Sequence, residues 1–415
     1  MTVVGDSADV LGVTAADAAA VIDRILTPAA VRAAARAMLA RAAAGDTHFQ
    51  LHLDRLDDVA DYTIAITRAN YPDFDVPYHA RHRHLRAGGI DRPAQLAARL
   101  HGAGADEIVR ATIDLVVISV LLDAGAGGQW TYAEPSTQKR YVRSEGLAVA
   151  SFDMFMAGAF SGEQVAPLRG DAAGLCGITV ADLERGFQVS PDNPLTGLAG
   201  RVHLLNRLGQ SMACQPTVFP SGRIADLLGE LGGGELRAAR ILEVVLKRFG
   251  EIWPARVTLH GRNLGDVWIY PPLGDGPNSL VPFHKLSQWL TYSLIVPLVE
   301  SGRVIRGIDE LTGLAEYRNG GLMLDTGLLE LRDAALAHQW HSPGSELIVE
   351  WRALTVALLD LLAERVRQRL GVDSSQLPLA AILEGGTWHA GRNIAAQRRP
   401  GGEPPLRVVS DGTVF

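Results

Sequence analysis

The chain of 415 residues is expected to fold as a mainly α-helical, multi-helical protein with a minor β-hairpin. Three observations lead there. Apolar residues recur at three- and four-residue intervals along most of the chain, the period of a helix with one buried face. Alternating, β-branched segments are confined to a few short pieces. The connections between periodic segments are rich in Gly, Pro and Asp, which end regular structure.

The first periodic segment is the alanine-rich run 15–44, where Val21, Ile25, Val31 and Leu39 mark an apolar stripe and Gly45 supplies a stop. Residues 47–70 read as the next helix, because Phe49, Leu51, Leu53, Leu56, Val59, Tyr62 and Ile66 form a broad apolar face that Tyr71-Pro72 ends. Further helices are expected at 92–100, 105–122, 144–160, 195–208, 234–249, 282–299, 346–370 and 378–398. Ser144 is a good N-cap for the helix it precedes, and Pro282 suits a first helical turn. Segments 257–260 and 266–270 flank the glycine-bounded 261–265 and read as a hairpin. Residues 405–409 form another extended piece before a turn at Asp411-Gly412. The organisation expected is an N-terminal helical segment over 1–46 and a single multi-helical catalytic domain over 47–415, built as one body or as two helical lobes with a cleft between them.

Composition narrows the function. Apolar residues make up 47% of the chain and charged residues 20%, as in an ordinary globular protein. The 39 basic and 46 acidic residues leave a net charge of -7, which disfavours nucleic acid and anionic membrane as partners. A prominent apolar run, Leu115 to Leu122, falls far short of the roughly 20 residues a membrane span requires. Cys176 and Cys214 show no metal spacing and read as small buried apolar residues in a reducing compartment. The first ten residues carry Asp6 and Asp9 and lack a basic region followed by an apolar core, so no secretory leader is expected and the cytoplasm is the expected location. No glycine-rich loop has Walker or dinucleotide spacing, so no nucleotide cofactor is expected. Nothing in the sequence sets an oligomeric state.

Two charges in apolar helical patterns carry the leading chemistry. Lys285 shares a helix face with Trp289 and Tyr292 at i, i+4 and i+7, near the positive end of the helix dipole. Desolvation and the dipole both lower a lysine pKa, so Lys285 reads either as a tuned nucleophile or as a lysine whose stem packs on Trp289. Glu316 lies in 308–321, read as a short helical run ended by Gly320-Gly321, with Arg318 and Asn319 just behind it. That grouping suits either a ligand site with a fixed anion-binding arginine or a solvated glutamate beside a surface arginine.

The densest polar cluster runs from Tyr78 to Arg86 and holds His79, His82 and His84 among Arg81, Arg83 and Arg86. Three fixed positive charges and no carboxylate within the cluster argue against a metal. The same arginines suit a phosphate, with a basic surface loop as the alternative. His48 and His52 lie one helical turn apart without the glutamate of a metalloprotease and read as core or pocket residues. Trp130 to Ser136, with Glu134, leads into Arg140 and Arg143 and has the makings of a ligand pocket. Gly385-Gly386-Thr387-Trp388 and Ser410 to Phe415 look too ordered in composition for frayed ends.

Several of these motifs together resemble one family. Trp130 to Gly146, Gly186 to Ser190 with Asn193-Pro194-Leu195, Phe283-His284-Lys285, Leu311 to Gly321 and Gly385 to Trp388 resemble the uracil-catabolism protein family of the ribosyl-urea pyrimidine pathway, long described as a domain of unknown function. The likeness runs from about His48 to Phe415. More distantly, Phe283-His284-Lys285 and Ala315 to Arg318 are similar to the queuosine-salvage nucleoside hydrolases, which pair a lysine with an aspartate in a helical fold like that of the helix-hairpin-helix DNA glycosylases. Here the carboxylate is Glu316, one methylene longer.

The resemblance implies a DNA-glycosylase-like helical fold and hydrolysis of the C1′–N bond of a ribosyl or phosphoribosyl ureide, with no cofactor. It implies Glu316 as the carboxylate near C1′ and Lys285 as the group that orients Glu316 and donates to the substrate, or attacks C1′ itself. Tyr317, Arg318, Trp289, His284, Trp388 and Glu134 are the implied substrate contacts, with Arg81, Arg83 or Arg86 for a phosphate. The rival readings are hydrolysis of the ureide amide and a non-catalytic ligand-binding or scaffold protein of the same pathway.

Overall fold

The structure, a computed structural model, describes residues 6–123 and 125–409. The expected turn at Asp411-Gly412 and the segment Ser410 to Phe415 lie outside them. The fold is mainly α-helical and multi-helical, as the periodicity requires, and its strands form short two-stranded ladders. Three helices form the centre. Ala105–Leu121 is buried without interruption from Ala111 onward, Lys285–Glu300 from Leu286 to Ile295, and Glu346–Leu370 from Leu347 to Leu359. A helix that is apolar all round is stable only inside others. The apolar run that was too short for a bilayer is thus a core segment, and no described helix is long and apolar enough to cross a membrane.

Around this centre the remaining helices shield apolar faces. Pro28–Ala44 and Leu56–Asn70 pack on Glu346–Leu370, and Arg143–Met156 packs on Ala105–Leu121. One hydrophobic cluster runs from Val31 to Leu406. A smaller one joins Ala8, Leu11, Ala18 and Ile25 to Val257, Leu259, Val267 and Leu280. Packing therefore changes between residues 25 and 31, inside the alanine-rich run.

Several elements differ from the periodic reading, each for a local reason. The run 15–44 divides into Ala15–Ile25 and Pro28–Ala44, because the Thr27 side chain accepts from the Ala30 amide and Pro28 opens the second helix. The segment 47–70 begins as the strand Phe49–Leu51, paired antiparallel with Leu329–Leu331, and becomes α-helical only at Leu56–Asn70. The expected hairpin is tighter: Thr258–Leu259 pairs with Arg262–Asn263 across His260 and Gly261, both at positive φ. Val267–Ile269 pairs instead with Leu280–Pro282, so the expected helix start at Pro282 is a strand end and the helix begins at Lys285. Likewise 234–249 opens as the strand Glu235–Arg237, parallel to Val304–Arg306, before Ala238–Phe249. Both cysteines are free and exposed, contrary to the expectation of burial.

One carboxylate links the last hairpin to the centre. Asp266 accepts from Arg352 Nη1 at 2.8 Å and Nη2 at 2.7 Å, from the Trp268 indole at 2.8 Å and from the Lys285 backbone amide at 3.1 Å. Burial works to raise its pKa, but the Arg352 guanidinium outweighs it and holds the carboxyl well below the usual aspartate range. A depressed folded pKa contributes stability that is complete above the unfolded value of about 3.9 and is lost as the pH falls below it. Asp266→Asn is expected to lower unfolding free energy at pH 7 by about 3 kcal/mol, and to flatten the loss of stability between pH 4 and 2. Urea unfolding at both ends of that range checks this; equal stability of the two proteins at pH 7 would overturn it.

Candidate active site

Four helical segments meet at one cavity of about 290 Å³, three of them by their first turns and the fourth, Trp388–Arg398, as the continuation of a π-helical turn. Lys285–Glu300 contributes Lys285 and Trp289, Tyr317–Asp325 contributes Tyr317 and Arg318 with Glu316 just ahead, Arg143–Met156 contributes Arg143 to Glu145, and Trp388–Arg398 contributes Trp388 and Arg392. Helix starts concentrate partial positive charge, so such a site favours anions.

Glu316 is buried and is the N-cap of its helix: Oε2 accepts from the Arg318 amide at 2.7 Å and Oε1 from the Asn319 amide at 2.6 Å. Each oxygen keeps a lone pair for other partners. The helix thus starts where the sequence pattern had one ending, and Gly320-Gly321 lie inside it. Gly320 is small for a packing reason, since a Cβ there would stand 2.7 Å from the Trp351 ring.

Lys285 extends into the same cavity from a strained start. His284 before it is left-handed, at φ 47° and ψ 35°, and its Nε2 meets the Ile25 carbonyl at 3.0 Å. Among the described residues the Lys285 ammonium has no hydrogen-bond or ion-pair partner. Desolvation lowers its pKa, while the charges of Glu316 and Asp123 pull it back up. Among the described residues no hydrogen bond joins Lys285 to Glu316, whose carboxylate is held by backbone amides.

Two imidazoles alternate with two indoles on one wall. The His79 ring centroid lies 6.3 Å from Trp289 and 5.7 Å from Trp388, and that of His84 6.0 Å and 6.1 Å from the same pair. Burial and the neighbouring Arg81 push His84 down to about 4, so it is neutral at pH 7. His79 Nδ1 meets Glu384 Oε2 at 2.8 Å, and Glu384 is held well below the usual range, because His389, 3.9 Å away, and His79 favour its charged form against burial. Glu384 sits in a π-helical turn, Leu383–Thr387. Gly385 and Gly386 let that turn approach the Leu56–Asn70 helix, where a Cβ would come within 3.0 Å of Thr67 and 2.4 Å of Thr63 respectively.

Opposing charges complete the lining. Asp123 takes Arg81 Nη1 at 2.9 Å and the Ser144 hydroxyl at 3.0 Å. Glu145 accepts from Arg392 Nη1 at 3.0 Å, and its pKa is lowered although burial opposes this; with His84 neutral, Arg392 is the partner that counts at pH 7.

Of the residues singled out from sequence, Lys285, Glu316, Tyr317, Arg318, Trp289 and Trp388 meet at the cavity, as do His79 and His84. Arg143, from the expected pocket segment, lines it as well, whereas the remaining candidates do not. Arg81 is fully buried behind it, bonded to Ser119, Asp123 and the Ser144 carbonyl. Arg83 pairs with Glu384 and Tyr71, and Arg86 with Asp91, both in half-exposed positions. Glu134 is buried against Arg92 at 2.8 Å, and His284 faces Ile25. His82 is buried with neither ring nitrogen bonded, at a pKa of about 4 from burial and Arg86. His48 and His52 bond Glu350 and Glu330. No three His, Cys, Asp or Glu side chains among the described residues are grouped to hold a metal. Asp123 and Arg392 went unread as site residues. Asp123 ends an apolar run before a glycine-rich stretch, and Arg392 follows Trp388 by one helical turn, which are the signals that mark them.

The site depends on a close crossing of two helices, where a Cβ on Gly391 would lie 2.1 Å from the Arg318 carbonyl. Gly391→Ala is expected to destabilise the fold by about 1–3 kcal/mol and to displace Arg318. Thermal unfolding checks it; an unchanged melting temperature would refute the tight crossing.

Comparison with known proteins gives a consistent relationship. The family described as "Protein of unknown function (DUF1688)" matches residues 24–415. "Uracil catabolism protein 4" of Lachancea kluyveri is 39% identical over 407 residues, covering 89% of this chain and 92% of that protein. "Protein urg3" of Schizosaccharomyces pombe is 39% identical over 373 residues, covering 87% of this chain and 90% of that one. With the match spanning both helices that carry Lys285 and Glu316, the chain belongs to the DUF1688 family.

Proposed function

We propose that this chain is an enzyme of uracil catabolism, an N-ribosyl hydrolase that cleaves the C1′–N bond of a ribosyl or phosphoribosyl ureide. The observation that carries the reading is Glu316: a buried carboxylate fixed by two amides of its own helix, sharing a cavity with an unpaired lysine and two indoles. The pathway is supported by the relative named "Uracil catabolism protein 4".

Breaking a C1′–N bond leaves positive charge on the sugar, which a fixed carboxylate stabilises without having to reorganise. Glu316 also has the lone pairs to take a proton from the water that attacks C1′. The departing nitrogen needs a proton in return. The Lys285 ammonium, with no protein partner of its own, is the donor for it, or for a sugar hydroxyl. Trp289, Trp388 and Tyr317 supply flat surfaces for the sugar and the planar ureide.

Glu316→Gln is expected to lower kcat/KM by about 10² to 10⁴-fold with little change in binding. The assay is release of free ribose or ribose phosphate from a ribosyl urea. Release of ammonia instead would make the protein an amide hydrolase, and tight binding with no turnover would make it a scaffold.

The pH profile tests Lys285. Its folded pKa lies below the ordinary lysine value of about 10.4, so the ammonium is lost as the pH rises through that lower value. Activity is expected to fall on the alkaline side before the ordinary lysine range, and Lys285→Arg to move that limb out of reach while keeping some activity. A wild-type profile flat beyond pH 10 would remove Lys285 from the mechanism.

A further inference from the structure

We propose that Arg143, Arg318 and Arg392 form a seat for a phosphate monoester, so that the substrate's sugar is phosphorylated; the sugar, though not the seat, rests on the ribosyl reading above.

The three guanidiniums come from three helices and line one cavity. Their partners are few. Arg143 Nη2 donates to the Gly401 carbonyl at 2.9 Å, Arg318 Nη1 to the Gly402 carbonyl at 2.7 Å, and Arg392 Nη1 to Glu145 at 3.0 Å. Among the described residues only Arg392 of the three is bonded to a carboxylate, while Arg143 and Arg318 donate to backbone carbonyls. A phosphate monoester carries about 1.5 to 2 negative charges at pH 7. Glu403, which also lines the cavity, is exposed.

Three arginines sealed in the core, Arg81, Arg92 and Arg352, each close on a carboxylate, Asp123, Glu134 and Asp266, while the equally buried Arg201 donates to the Leu122, Thr196 and Gly125 carbonyls. Arg143 faces the cavity and is held below its ordinary pKa by burial and by the fields of its neighbours Arg318 and Arg392. Like charges kept together in a cavity are stabilised by an anion between them.

The side chains are also set for the task. Arg318 lies over the Tyr317 ring at 4.7 Å and Arg392 over Trp388 at 5.3 Å, which fixes their planes and leaves N–H edges free to fork onto phosphate oxygens. Arg143 holds a left-handed backbone at φ 55°, a strain that persists only where surroundings enforce it, and its helix opens without a side-chain cap. Arg318 stands two residues beyond Glu316 at the same helix start. One ligand can therefore span the carboxylate and the seat.

The test compares ribose 5-phosphate with ribose by calorimetry on the full chain. Ribose 5-phosphate is expected to bind at least about tenfold more tightly, with affinity falling as salt rises, and inorganic phosphate to compete for the same site. Arg143→Gln and Arg392→Gln are each expected to weaken ribose 5-phosphate by about tenfold and leave ribose unaffected. Should either variant fail to fold, competition by inorganic phosphate on the wild type decides: its absence overturns the seat. Equal binding of the two sugars by the wild type, no detectable binding of ribose 5-phosphate, or full retention in both variants also overturns it. Phosphate preference without C1′–N cleavage keeps the seat and discards the hydrolase. Equal turnover of ribosyl urea with and without a 5′-phosphate keeps the hydrolase and discards the seat.

Discussion

Trp351 and Arg352, neighbours on the buried helix Glu346–Leu370, hold the two halves of the site in register. Arg352 grips Asp266 with both terminal nitrogens, and Asp266 in turn accepts from the Lys285 amide. The same guanidinium covers the Phe283 ring at 4.0 Å. Trp351 donates its indole N–H to the Gly320 carbonyl at 3.1 Å, within the helix that Glu316 caps. Both helix starts, at Lys285 and Glu316, are thus fastened to one helix that is buried throughout from Leu347 to Leu359. Functional side chains need such support, because geometry loosened by about an ångström loses much of its chemical value.

Buried cations are compensated in two ways. Arg81, Arg92 and Arg352 each meet a carboxylate, while Arg201 donates to the Leu122, Thr196 and Gly125 carbonyls, as burying an isolated charge is prohibitive. Where cations face the cavity, pairing among the described residues is incomplete: of Arg143, Arg318 and Arg392, only Arg392 is bonded to a carboxylate. Two of the positive-φ residues, His284 and Arg143, stand at the first turns of helices that open on the cavity, and the others, Phe74, Gln138, Gln188 and His260, lie elsewhere.

Much of the helical content was legible because apolar spacing is a local property. The periodic segments at 105–122 and 346–370 correspond to Ala105–Leu121 and Glu346–Leu370. Errors fell where periodicity is silent. Phe49-Gln50-Leu51 suits a strand as well as a helix, and only its partner at Leu329–Leu331 decides. The break at Thr27-Pro28, by contrast, was written in the sequence as an N-cap followed by proline. At the site, Lys285, Glu316, Trp289 and Trp388 could be picked out as charged or aromatic residues in unusual settings. Asp123 and Arg392 went unread, since their signals, the end of an apolar run and a one-turn spacing from Trp388, are shared by many ordinary surface residues.

The sequence by itself determined the helical class and the family, and it singled out Lys285 and Glu316, because each is carried by residues close together in the chain. Tertiary structure alone decided which arginines face the cavity. Arg81, Arg83 and Arg86 form the densest basic cluster in sequence, yet carboxylates claim all three: Asp123 and Glu384 from distant segments, and Asp91 from the next turn of chain. Arg143, Arg318 and Arg392 are far apart in the chain and meet only where three helical segments come together at one cavity. Neutralisation depends on distance in space, which spacing along the chain does not encode.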